Sequence, residues 1–266
     1  MTVTTLASGS SGNCILVSHG ATHLLVDAGI SCRRIKNALA GLGLTPGELT
    51  AVLITHEHSD HISGLATLFK QYHLPVWCSK GTGRQLEYRI AFLNEVLHTF
   101  EPGESFPLGG LTVTGFATLH DAADPVGYTF TDGVRKAAVV TDLGVVTPVV
   151  EACVRGSGLL VAEANHDPDL VREGPYPYYL KQRILGAHGH LSNADCAALA
   201  ARSGAETVIL AHLSEENNRP ALALETVRAC LGEHVTVEVA PRNEPGRRYF
   251  VGESGPAASE KLGIRN

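Results

Sequence analysis

Residues 55–61 read Thr55-His-Glu-His-Ser-Asp-His61. This run offers His56, His58, Asp60 and His61 as metal ligands within a few residues. Ala51-Val-Leu-Ile54 precedes it, apolar and rich in β-branched residues, and predicts a buried strand. After it, Ile62, Leu65, Leu68 and Phe69 are spaced for a helix over 62–72 packed on one face. The ligand run therefore falls where a strand ends and a helix begins, the position at which α/β proteins place their sites. His56 and His58 are two apart, so in extended backbone both project to one side and can grip one ion. Asp60 and His61 follow where the chain turns and can serve a second. Imidazole with carboxylate suits Zn, Mn or Fe rather than Ca or Mg. A solvated polar turn in a chain of 13 histidines is the competing explanation. The density of ligands directly after a buried strand weighs against it.

The 266 residues are 44% hydrophobic, enough for a sizeable core, and disorder is not the default. No apolar stretch is long enough to cross a bilayer. Met1-Thr-Val-Thr-Thr-Leu6 has neither a basic n-region nor a long apolar segment, so no secretory signal is expected and the chain is expected in the cytoplasm. The six cysteines form no CxxC pair and are expected to be reduced thiols. A net charge of −6 gives no broad attraction to nucleic acid, so a nuclease built this way must rely on metals and a local basic groove.

Strands are expected at Val3–Ala7, Cys14–Ser18 and His23–Asp27, separated by Gly- and Ser-rich turns. A helix is expected over Ser31–Leu42, with Ser31 as its N-cap. After about Glu87 come strands at Glu95–Phe100, Glu104–Leu108, Leu111–Leu119, Val126–Thr131 and Ala137–Thr141. Further strands are expected near Leu159–Ala162, Thr207–Leu210 and Thr236–Val239, with helices at Ser192–Arg202 and Arg219–Leu231. The pattern says α/β. One domain over residues 1–251 and a mobile polar tail over 252–266 are expected.

His56-x-His58-x-Asp60-His61 resembles the signature of the metallo-β-lactamase-fold hydrolases, and other pieces match in order. Asp27, in Leu24-Leu-Val-Asp-Ala-Gly29, resembles the family's first motif, an acid that supports the ligands. His120, Asp142 and His212 resemble the third histidine of the first metal, the bridging carboxylate and the last ligand of the second. The resemblance implies a four-layer αββα sandwich. It also implies two divalent ions: His56, His58 and His120 on one, Asp60, His61 and His212 on the other, with Asp142 between them. Asp60 and Asp142 are therefore also catalytic candidates.

Four secondary motifs remain open between two readings. Ser8-Gly-Ser-Ser-Gly-Asn13 is either a plain turn or a loop at the cleft offering Ser10, Ser11 and Asn13 to phosphate. In His188-Gly-His-Leu-Ser-Asn193 a capped helix start suits an anion, so Ser192 and Asn193 are phosphate-binding candidates. His190 is the candidate to bind phosphate or protonate a leaving oxygen; an ordinary capped helix explains the same residues. Residues 162–167 read Ala-Glu-Ala-Asn-His-Asp. Related tRNA-processing nucleases carry a proton-donating histidine where Ala162 stands, so that role does not transfer; His166 is either a substitute or a surface-loop histidine. Tyr176, Tyr178, Tyr179, Lys181 and Arg183 either stack bases and neutralise phosphates or form a packed amphipathic segment.

Several phrases, among them Leu6–Asn13, His120–Tyr128 and His212–Asn218, resemble one bacterial subgroup, the YycJ/WalJ-type proteins. That resemblance implies a manganese-dependent 5′→3′ exonuclease acting on DNA and linked to mismatch repair; single-stranded ends are the expected substrate, and zinc is the alternative metal. Two different classes compete: a small-molecule phosphodiesterase or thioester hydrolase on the same scaffold, and a metal-binding protein without activity.

Overall fold

Neighbouring residues of a single apolar run enter different cores. In β3 (Thr22–Val26), Leu24 and Val26 face one core while Leu25 faces another. A strand buried on both faces has no polar side to alternate, and so reads as a continuous apolar run. The structure, a computed structural model, describes residues 1–252.

One sheet contains β1 (Thr2–Ala7), β2 (Cys14–His19), β3, β4 (Ala51–Leu53), β5 (Val76–Ser79), β6 (Leu97–Phe100) and β14 (Tyr249–Phe250), in the spatial order β14-β1-β2-β3-β4-β5-β6. The other contains β7 (Ser105–Leu108), β8 (Leu111–Ala117), β9 (Val126–Thr131), β10 (Lys136–Val140), β11 (Leu159–Glu163), β12 (Thr207–Ala211) and β13 (Thr236–Val239), ordered β13-β12-β11-β10-β9-β8-β7. Each sheet is antiparallel on one side and parallel on the other, with the change at β3 and at β10.

Helices cover both outer faces. On the first lie α1 (Cys32–Gly41), α3 (Leu65–Tyr72) and α4 (Lys80–Arg89), with the single turn α2 (Ser59–Ile62) leading into α3. The second half adds α5 (Pro148–Val154), α6 (Pro168–Glu173), α7 (Tyr178–Leu185), α8 (Asn193–Ser203) and α9 (Pro220–Arg228). Four layers need three apolar interfaces, and three cores are present. Val17, Leu53, Tyr128, Val139 and Val161 fill the space between the sheets. Leu25, Val52, Ile35, Leu39 and Leu68 join the first sheet to its helices, and Val140, Leu160, Val208, Leu199 and Val227 do so for the second. The α/β sandwich expected from the sequence is the observed architecture. Among the described residues no helix is long and apolar enough to cross a membrane, and all six cysteines are free thiols.

The two sheets are stitched together beside the His-rich turn. Tyr128, fully buried between the sheets, donates its hydroxyl to Ile54 O (2.7 Å), and Val126 N donates to Thr55 O (3.0 Å). A buried phenol needs such a partner, and this one fixes the backbone from which the ligands spring.

Several local expectations change. The helix expected over 62–72 is broken at Ser63-Gly64 into α2 and α3. Gly64 N donates to Ala28 O, and a Cβ on Gly64 would lie 2.1 Å from Ile30 O, so the break lets the 28–30 segment dock against the helix start. Helices α5 and α6 were not expected, although each opens on a capping residue followed by proline, Thr147-Pro148 and Asp167-Pro168. The aromatic and basic segment before His188 forms α7, with Tyr178 and Tyr179 exposed rather than packed. Of the expected tail, residues 253–266 lie outside the described residues.

Candidate metal centre

Within one sheet the pairing points the carboxyl ends of β1, β3 and β4 the same way, within the other those of β8, β10, β11 and β12, and donor atoms beyond both sets meet. At or just beyond those ends lie, in turn, the Ser/Gly loop, Asp27, the His56–His61 run, His120, Asp142, Glu163 and His212. Asp27, Asp142 and His212 all have left-handed backbone, at φ of 60°, 58° and 54°. That region costs a residue with a Cβ about 1–2 kcal/mol, and such strain concentrates where function requires a side chain to be aimed. Gly29 is required on different grounds: a Cβ there would sit 1.6 Å from Asp60 O, so only glycine lets the Asp27 loop close against the ligand turn.

Four groups of donor atoms converge: His56, His58 and His120; Asp60, His61 and His212; His56, His61 and Asp142; and Asp142, Glu163, His190 and His212. The hydrogen bonds decide which ring nitrogen faces inward. His61 Nδ1 donates to Asp27 Oδ2 (2.7 Å), His212 Nδ1 to Glu163 Oε1 (2.7 Å), and His120 Nδ1 to Gly189 O (2.9 Å). Thr55 gives its hydroxyl proton to Asp27 and accepts from His56 Nδ1 (3.0 Å). Each of these four rings therefore keeps its Nε2 lone pair for the shared space, and the oxygen on Nδ1 fixes both tautomer and ring angle. His58 alone turns Nδ1 inward, 3.0 Å from His56 Nε2.

This donor set fits divalent metal. Metal–ligand bonds of about 2.0–2.1 Å in a tetrahedral arrangement put neighbouring donor atoms about 3.3 Å apart. Asp60 Oδ2 lies 3.4 Å from both His61 Nε2 and His212 Nε2, and Asp142 Oδ2 lies 3.3 Å from His61 Nε2. Asp142 Oδ2 is buried and accepts no hydrogen bond among the described residues. A buried carboxylate oxygen facing imidazole lone pairs calls for a cation.

Without a cation, protons take its place. Burial opposes the charged form of His212, but Asp142, Asp60 and Glu163 outweigh it and push the ring up to about 10. His61 is likewise opposed by burial and raised well above its ordinary value by Asp142 and Asp27. Glu163, despite burial, is drawn down to about 2 by His190 and His212. In the metal-free protein the raised histidines add stability below their unfolded value near 6.5, and His212 loses its share as pH rises through about 10. The depressed Glu163 adds stability above its unfolded value and loses it as pH falls towards 2. Metal entry must displace the protons on His61 and His212. Adding Mn²⁺ to chelator-stripped protein in weak buffer at pH 7 is expected to acidify the solution, and its affinity to fall with decreasing pH. A titration releasing no protons would contradict these assignments.

The remaining candidates divide. Ser10 and His190 line a cleft of about 220 Å³ together with His58, Asp60, His120, Asp142 and His212. Ser11 is exposed and does not line that cleft. Three other phosphate-binding candidates have partners inside the fold. Asn13 is buried, and its amide donates to Asp60 Oδ2 (3.3 Å) while its Oδ1 accepts from Gly9 N (2.9 Å), so it steadies that carboxylate. Ser192 is the N-cap of α8 and gives its hydroxyl proton to Asp195 (2.6 Å), while Asn193 is buried against Asn218 (3.0 Å). Their polar groups are spent inside the fold. His166 is neither a surface-loop residue nor a cleft-lining one; burial holds it low, at about 4, and Asn165 O and His166 O serve backbone contacts. Two residues escaped the sequence reading. Glu163, at the end of β11, is fully buried and accepts from His190, His212, Leu143 N and Leu191 N. Glu57, between the two first ligands, accepts from Ala123 N and so ties the turn to the loop carrying His120. Glu163 was legible as a lone acid closing an apolar run.

The profile of the β-lactamase superfamily domain matches residues 22–213. The chain belongs to that superfamily. Within it, the chain is 38% identical over 232 residues to the exodeoxyribonuclease YycJ of Bacillus anthracis, covering 86% of this chain and 88% of that protein. It is 39% identical over 229 residues to the exodeoxyribonuclease WalJ of Streptococcus pneumoniae, covering 84% and 85%. The metallo-β-lactamase-fold protein YhfI of Bacillus subtilis superposes with a TM-score of 0.74 at 18% identity, covering 92% of this chain and 99% of that one. This member of the β-lactamase superfamily is a metal-dependent hydrolase whose His/Asp clusters bind divalent metal.

Proposed function

We propose that this protein is a two-metal 5′→3′ exonuclease acting on single-stranded DNA ends. The observation that carries the reading is the cage of five imidazoles and two carboxylates opening onto one cleft. The exodeoxyribonuclease relatives supply the substrate class. His56, His58 and His120 would hold one ion and Asp60, His61 and His212 the other, with Asp142 shared. Mn²⁺ is favoured and Zn²⁺ is accepted by the same donors. When bound, such a pair lowers the pKa of a shared water and neutralises the phosphate it attacks.

The chain's own residues do the rest. Water attacks phosphorus, the P–O3′ bond breaks, and O3′ takes a proton. His190 would deliver it, a role supported by its Nδ1 contact to Glu163 Oε1 at 2.8 Å, which leaves Nε2 for the cleft. Asp27, through His61 and Thr55, keeps the ligand turn in register. Six cysteines without a disulfide among the described residues fit a reducing cytoplasm, where a repair nuclease would work.

The cleft of about 220 Å³ also suits a small phosphodiester or thioester. With Mn²⁺ and a 5′-labelled single strand, stepwise loss of the labelled mononucleotide is expected. A 3′-labelled strand should shorten without early release of its label. Hydrolysis of bis(4-nitrophenyl) phosphate with no attack on either strand would overturn the nuclease reading in favour of a small-molecule hydrolase.

A further inference from the structure

Resting on that nuclease reading, we propose that one face of α7 is the platform for the single-stranded flank of the substrate, with Tyr179 stacking a base and Arg183 holding a phosphate. α7 forms one wall of the cleft, to which it contributes Leu180, Arg183 and Ile184. At 3.6 residues per turn each residue advances about 100°. Leu180, Arg183 and Ile184 therefore share one arc aimed at the cleft. Tyr179 falls about 40° beyond Arg183 and one turn, about 6 Å, away, so the two form an i,i+4 pair on the same side. Tyr178 points away from that side.

Two features make this a surface for a nucleic acid strand. Tyr179 is 74% exposed, on a helix whose only buried residue is Ile184. An aromatic left bare at the lip of a phosphodiester-cleaving cleft offers a flat, sequence-tolerant stacking face. Arg183 adds the positive charge that the whole molecule, at −6, lacks. Its partner is Asp121 at 3.1 Å, and both side chains are more than half exposed, so exchanging that carboxylate for a phosphate costs little. Tyr176 feels the charges of Glu216 and of Glu215, the latter paired with Arg242 at 3.4 Å, so a phosphate backbone is less favoured there than beside Arg183. The strand is thereby directed along the Tyr179–Arg183 side.

The two adjacent tyrosines, nearly equal in exposure, provide an internal control. In steady-state assays of the manganese-loaded full chain on a single-stranded oligonucleotide, Tyr179→Ala is expected to raise KM about tenfold with kcat retained. Tyr179→Phe should restore the wild-type KM, and Tyr178→Ala should match wild type throughout. Arg183→Gln should raise KM and lower the slope of log(kcat/KM) against log[salt] by about 1. Wild-type KM for Tyr179→Ala, or an equal loss for Tyr178→Ala, overturns the platform while leaving the nuclease reading intact. A wild-type protein that degrades no oligonucleotide overturns both.

Discussion

Asp142→Asn should purify as a folded protein that holds neither ion firmly and has lost hydrolysis by more than about 100-fold, the upper range for losing a ligand's supporting partner. Asp142 belongs to two of the converging donor groups, one with His56 and His61 and another with Glu163, His190 and His212. Its oxygens lie 3.3 Å from Nε2 of His61, in the second half, and 3.9 Å from Nε2 of His120, in the first. Removing its charge therefore takes an anionic donor from both halves of the cage at once. Asparagine is the informative replacement because Asp142 sits at φ 58°. Asparagine tolerates left-handed backbone, whereas alanine would add a strain penalty unrelated to the metals. Asp60→Ala makes the comparison: Asp60 groups only with His61 and His212, so one ion should remain. Metal analysis alongside circular dichroism reads the result. Two tightly held ions in a folded Asp142→Asn protein would sink the bridging role.

The ligands differ in how far sequence exposes them. His56, His58, Asp60 and His61 are legible because their spacing alone, two apart and then at a turn, converts to direction once a strand is placed before them. His120, Asp142 and His212 are isolated residues whose neighbours carry no ligand spacing. Only resemblance marks them, because their meeting depends on how two seven-stranded sheets face each other. Left-handed φ at Asp27, Asp142 and His212 leaves no trace in composition, although it aims all three. Asn13, Ser192 and Asn193 could be read two ways for one shared reason. Small polar residues at a turn or helix start serve an external anion and an internal cap equally well, and burial chose the internal partner. The α/β class was accessible, since doubly buried strands give unbroken apolar runs, whereas the four-layer sandwich came from the resemblance alone. The break at Ser63-Gly64 was not, because it answers to Ala28 and Ile30, more than thirty residues away in the chain.

Glu163→Gln is expected to damage both stability and turnover, although it changes one atom. Glu163 is fully buried and accepts four N–H groups. Oε1 takes His212 Nδ1 (2.7 Å) and His190 Nδ1 (2.8 Å); Oε2 takes Leu191 N (3.0 Å) and Leu143 N (3.1 Å). An amide has only one acceptor oxygen. If that oxygen faces the rings, the NH₂ meets two backbone N–H groups, each left unpaired at about 1–3 kcal/mol. If it faces the backbone, the NH₂ meets both imidazoles. His212 must then move its proton to Nε2, the nitrogen that otherwise points at Asp60, and ceases to be a ligand. His190 loses the anchor that leaves Nε2 free for the leaving oxygen. The first orientation predicts a lower melting temperature with metal retained; the second predicts metal loss. In both, kcat/KM should fall about 10–100-fold. Melting curves, metal content and kcat/KM measured on one preparation separate the two orientations. A Glu163→Gln protein with native melting, full metal and full turnover would show that neither histidine depends on this carboxylate. His190 would then need another source for its orientation, and none of the contacts to its Nδ1 supplies one as short: after Glu163 the next is Asp142 Oδ1, at 3.7 Å.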